Sequence, residues 1–175
     1  MSSWKEILFT KLEEKKVLFD AYKIKAGSTF DMGELYESMH RWFLQKGYDW
    51  KETRYKHVDN PNGSVTTEMA WECSKPLDDY VTFVVEMGAQ IILSEVEVNL
   101  PNNAKKKINK GSIEMKFSSY LKKNVKVWEG KSMGGFLGLV YEKILIRKRL
   151  EVYEKASLGE ITTFFDEIRL YLGIR

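Results

Sequence analysis

Hydrophobic positions recur at helical spacing where the chain begins. Ser3 with Glu6 three residues later forms a capping-box pattern, and Trp4, Ile7, Leu8 and Leu12 then make one apolar stripe, which predicts an amphipathic helix over 3–15. From Val17 the pattern turns to alternation. Leu18, Tyr22 and Ile24 are separated by Asp20, Lys23 and Lys25, so a first strand is expected to end near Ala26-Gly27, with Gly27-Ser28 as the break. Asp31 and Glu34 then open a second helix with the stripe Leu35, Met39, Trp42 and Phe43, and Gly47 after Lys46 stops it.

The middle of the chain is rich in Val, Ile, Thr, Tyr and Trp and punctuated by turn residues, the signature of antiparallel strands. Asn60-Pro61-Asn62-Gly63 is a turn joining a strand near 49–58 to one near 64–74. In the latter, Met69, Trp71 and Cys73 alternate with Glu68, Ala70 and Glu72 as on a half-buried sheet. Lys75-Pro76 ends it. Tyr80–Leu100 exceeds an average strand and carries Gly88 near its centre, so two strands across a bend or one long bulged strand are expected. Pro101-Asn102-Asn103 turns the chain. Ile113, Met115 and Phe117 mark a further strand, and Val125–Trp128 suggests a short last one, for about five to seven strands in all.

After Gly130 the periodicity is helical, first from Gly135 to about Lys155 and then from Ser157, where Ser157 and Glu160 repeat the capping-box spacing. Ile161, Phe164, Phe165, Ile168 and Leu172 form a stripe that can cover a sheet face, leaving Glu160, Asp166, Glu167 and Arg169 for solvent. The expected class is α+β: helix, strand, helix, an antiparallel meander, then a helix pair. By element order alone this resembles the helix-grip architecture of START-like proteins. The resemblance implies a curved sheet wrapped around a C-terminal helix, with an apolar cavity between them.

Composition narrows the class. A chain of 175 residues with 43% hydrophobic positions, including 9 Phe, 9 Tyr and 5 Trp, suits one domain over 1–175 with an aromatic core and excludes global disorder. A net charge of +3 does not by itself demand nucleic acid or membrane. Cys73 stands alone, so no intramolecular disulfide and no all-cysteine zinc site is possible, and a reducing cytoplasm is the simplest compartment. No secretory or transmembrane segment is expected, because the late apolar run from Phe136 to Ile146 is broken by Glu142 and Lys143.

The chemistry-bearing residues are sparse. His40, His57 and Cys73 fall on three separate elements without ligand spacing, so no metal and no cofactor is expected. There is no nucleophile elbow. Asp78-Asp79 reads as a loop, and Asp31, Glu34 and Glu37 as acids complementing a helix dipole. The glycine-rich run from Lys131 to Gly138 offers either backbone amides for an anion or close helix packing. Charge is most uneven over 102–126, where Lys105, Lys106, Lys107, Lys110, Lys116, Lys122, Lys123 and Lys126 face the single acid Glu114. Pairing with Glu95 and Glu97 across a hairpin is the simpler explanation of Lys116 and its neighbours.

Two functions from different classes remain. One is a non-catalytic binding protein with an apolar, aromatic-lined pocket or groove between sheet and C-terminal helix, lined by Trp71, Phe83, Met115, Phe117, Phe136 and Phe165. The other is an RNA- or ribosome-associated protein whose basic patch joins Lys105, Lys106, Lys107 and Lys110 to Lys143, Arg147, Lys148 and Arg149. Whether the chain is an enzyme stays open, with the residues leaning against it. The apolar face of the helix at 3–15 further suggests a homodimer or a partner protein.

Overall fold

The computed structural model describes residues 15–99, 105–124, 134–141, 144 and 146–174. In chain order these form β1 (Lys15–Thr29), α1 (Met32–Gln45), β2 (Asp49–Asp59), β3 (Val65–Pro76), β4 (Val81–Asn99), β5 (Lys105–Lys123), α2 (Gly134–Val140) and α3 (Arg147–Tyr171). The strands make one five-stranded antiparallel sheet in the order β1-β5-β4-β3-β2, open at both edges. The class is therefore α+β, as the mixed periodicities predict. The helix expected over 3–15 lies outside the described residues except at Lys15, which already belongs to β1.

Alternation decides which face is covered. Met69, Trp71 and Cys73 of β3, Phe83, Val85, Met87 and Ile91 of β4, and Ile113, Met115 and Phe117 of β5 are all buried in one core cluster, which faces the helices. Their neighbours in sequence, such as Glu86, Gln90 and Lys116, lie exposed on the other face. The strand from Val81 to Asn99 is single and unbulged, because it keeps one register with both β3 and β5 and Gly88 sits opposite Ala70 and Lys116. The bulges lie instead on the edge strands. β1 shifts register twice between Val17 and Tyr22, with Ala21 at φ 55°, and β2 shifts once between Glu52 and Arg54. Such irregular, lysine-bearing edges discourage further strand pairing.

Local capping follows the sequence at α1. The Asp31 side chain accepts a hydrogen bond from Glu34 N at 3.1 Å, and Gly47 beyond the last turn adopts φ 80°. The C-terminal half departs from expectation. No break occurs at Ala156, and α3 runs uninterrupted from Arg147 to Tyr171. Ser157 is 3% exposed and lies on the buried stripe with Ile161, Phe164 and Ile168, so its capping-box spacing is overridden by continuous packing against the core.

Phe164 meets Trp42 and Phe43 of α1 at ring-centroid distances of 4.8 and 4.7 Å, and Phe165 stacks on Tyr22 of β1 at 4.4 Å. Each such pair contributes about 0.5–1.5 kcal/mol beyond its buried area. Two acids expected to face solvent are polar fasteners instead: Glu160 holds Lys75 of β3 at 3.1 Å, and Glu167 accepts from Trp42 Nε1 at 3.1 Å. Among the described residues, no helix is long and apolar enough to cross a membrane.

Candidate functional site

Five of the six side chains expected to line a pocket are packed into the core. Trp71, Phe83, Met115 and Phe117 are at most 1% exposed and Phe165 is 6% exposed, with Phe117 and Phe165 in ring contact at 4.8 Å. Phe136 is apart from them on α2 and 40% exposed. Where α1 meets α3 there remains a crevice of about 20 Å³, room for about one water and for no organic ligand. These aromatics supply cohesion.

The large concavity lies elsewhere on the same face of the sheet. The first turns of α1 stand over β2 and β3 and leave an open groove of about 930 Å³ towards the β2–β3 turn, where Gly63 at φ 77° reverses the chain. Half-buried Met32, Val65 and Leu93 and the buried Met69 give it an apolar floor. Tyr36 and Tyr55 supply aromatic surface, and Glu37, Glu52, His57 and Thr67 supply polar groups.

The β2 bulge assembles this lining. Trp50 pairs with Cys73 and Glu52 with Trp71, but past the shift it is Tyr55 that pairs with Met69 and His57 with Thr67. One extra residue thus swings odd-numbered side chains onto the face that even-numbered ones occupied before it. Behind the groove, Tyr36 makes ring contacts with Trp50 at 5.9 Å and Trp71 at 5.8 Å, and the Nε1 atoms of both tryptophans are buried without a hydrogen-bond acceptor among the described residues.

Its ionisable groups are unevenly satisfied. His57 places Nδ1 3.2 Å from Thr67 Oγ1 and Nε2 3.7 Å from an Asp59 carboxylate oxygen, and its ring lies parallel to that of Tyr55. Glu37 is 4.0 Å from Arg41 one turn along α1. Glu52 has no hydrogen-bond or ion-pair partner among the described residues. The other softer groups have structural surroundings: His40 packs against Trp50 at 5.3 Å, and burial pushes the Cys73 thiol far above its ordinary value, helped by the charge of Glu72. Among the described residues, no three His, Cys, Asp or Glu side chains are grouped to hold a metal ion.

The basic residues are not brought together. Lys110 pairs with Ser94 near the far end of the β4–β5 hairpin, and Lys105 and Lys107 pair with Asn99 and Glu97 still farther out. Arg149 lies 3.6 Å from Asp78, whose carboxylate accepts from Val81 N, and Val81 pairs with Lys123 at the opposite end of β5. At about 3.3 Å per residue, roughly 40 Å of strand separates the two groups. Arg147 and Lys148 are exposed beside Arg149, whereas Lys143 lies outside the described residues. Glu95 and Glu97 stand opposite Asn109 and Lys107, not Lys116; Lys116 is 3.7 Å from Glu114, which binds Lys25 at 2.7 Å. Of the glycine-rich run, Gly134 and Gly138 are buried on one side of α2, which favours close packing over anion binding. No protein-family model matches this chain, and neither does any curated protein or solved structure.

Proposed function

We propose that this is a non-catalytic binding protein whose ligand site is the groove between α1 and the β2–β3 hairpin, displaced from the space between sheet and terminal helix. One observation carries the reading: a groove of about 930 Å³ with an apolar floor opens beside α1, whereas Phe117 of the sheet and Phe165 of α3 are buried ring against ring. Small-molecule sites span about 300–1,000 Å³ and combine apolar walls with a few polar groups. Met32 and Met69 give the floor adaptable side chains suited to an irregular apolar body. A ligand burying roughly 200 Å² of apolar surface there gains about 5 kcal/mol before the cost of immobilisation is subtracted. The test is titration with Nile red, an uncharged apolar fluorophore, against the wild type and Thr67→Trp, which fills the groove from β3. Saturable binding in the wild type that is lost in Thr67→Trp at unchanged melting temperature is expected; equal binding by both proteins refutes the site.

A further inference from the structure

We infer that the occupant of this groove is an amphipathic organic cation, a protonated or quaternary amine carried on an apolar body, with its charged nitrogen at Glu52. The inference rests on the groove being a ligand site. Among the described residues, neither a Lys nor an Arg lines the groove, whereas Glu37 and Glu52 do. Glu52 is the decisive residue. Its carboxylate is free of partners among the described residues, although Lys51 and Arg54 are close to it in sequence. The β2 bulge explains this, because Arg54 bonds Glu68 at 2.8 Å while Glu52 shares the face of Trp71. Tyr36 and Tyr55 add ring faces, the other surface that attracts an ammonium group as it leaves water.

Two features of opposite sign are already answered within the fold. The first-turn amides of α1 near Gly33 are a positive dipole end, but the Asp31 carboxylate takes the Glu34 N–H at 3.1 Å and neutralises it. His57 has the Asp59 carboxylate 3.7 Å from Nε2, so the ring already faces an anion of its own strand. An anionic amphiphile entering the groove therefore meets two carboxylates and, among the described residues, no lysine or arginine. An amine meets an unpaired acid and aromatic rings, while its tail reaches Met69 and Leu93.

The experiment is a calorimetric titration with three probes of equal tail length, decyltrimethylammonium, 1-decanol and decanoate, below their aggregation concentrations. The cation is expected to bind roughly tenfold more tightly than decanol, and decanoate more weakly than decanol. Glu52→Gln, an exposed substitution, is expected to weaken the cation about five- to tenfold and leave decanol unchanged. Equal affinities for all three probes, or a cation affinity untouched by Glu52→Gln, overturn the cation assignment while the ligand site stands. Binding of none of the probes overturns the ligand site itself.

Discussion

Gly111 on β5 tests the sheet geometry that holds the groove in place. A Cβ added there would lie 1.9 Å from the carbonyl oxygen of Ile92, 2.9 Å from its carbonyl carbon and 3.0 Å from Leu93 Cα, all backbone atoms of β4. A carbon–oxygen approach between neighbouring strands needs about 3.3–3.6 Å, so the two strands must part locally by well over 1 Å. β5 cannot retreat freely, because Gly111 is also paired with Ser28 of β1. Overpacking of this kind costs about 1–3 kcal/mol, and loosening one or two ladder hydrogen bonds adds about 1 kcal/mol each. Gly111→Ala is therefore expected to lose roughly 3–4 kcal/mol, a fall of about 6–16 °C in melting temperature for a chain of this size. Gly88→Ala on β4 is the control. Its Cβ would meet Met69 O at 4.0 Å, an ordinary contact, and the stiffer unfolded chain makes it neutral or stabilising by about 0.4–1 kcal/mol. Both are read by calorimetry. A Gly111→Ala protein melting within about 2 °C of wild type, or a Gly88→Ala protein falling as far, refutes the reasoning.

Other expectations follow from the core and its fasteners. Phe164→Ala removes a 1% exposed ring from between α1 and β5 and should cost about 3–5 kcal/mol in urea unfolding, whereas Leu170→Ala, 82% exposed on the same helix, should stay within about 0.5 kcal/mol. Glu160→Gln leaves the half-buried Lys75 ammonium beside the Tyr48 ring without its carboxylate and should cost about 1–2 kcal/mol, a loss detected as a lower urea midpoint. Burial raises the Asp78 carboxyl, but hydrogen bonds from Tyr80 N, Tyr153 Oη and Val81 N and the charge of Arg149 outweigh it and hold its pKa below the ordinary carboxylate value. That depressed value stabilises the fold fully above the unfolded pKa and is lost as pH falls through the folded one. The stability gap between wild type and Asp78→Asn should accordingly shrink on acidification below the ordinary carboxylate range; a gap independent of pH contradicts it.

The elements that were legible in the sequence are those with a strong local signal. The stripe of α1 and its Asp31 cap, the Asn60–Gly63 turn, and the alternation of Met69, Trp71 and Cys73 all form as their spacing predicts. Tertiary packing overrode local cues at two places. Ser157 and Glu160 carry a helix-start spacing but lie within α3, Ser157 on its buried stripe and Glu160 bonded to Lys75 of β3. Gly88 in β4 invites a bend, yet pairing on both sides keeps the strand continuous. The candidate site was the least legible part. A large apolar side chain is equally suited to filling a core and lining a pocket, and Trp71, Phe83, Met115 and Phe117 fill the core. The groove depends on a one-residue bulge in β2 and on where α1 crosses the sheet, neither of which a composition or a periodicity encodes.

The central claim is that ligand enters between α1 and the β2–β3 hairpin and not beneath α3. Methyl-resolved NMR during titration with decyltrimethylammonium reads this directly. The account predicts shifts confined to Met32, Val65, Met69 and Leu93, saturating together, with Ile161 and Ile168 of the α3 seam unmoved. Shifts centred on Ile161, Ile168 and Met115, or on Leu137 of α2, would contradict it.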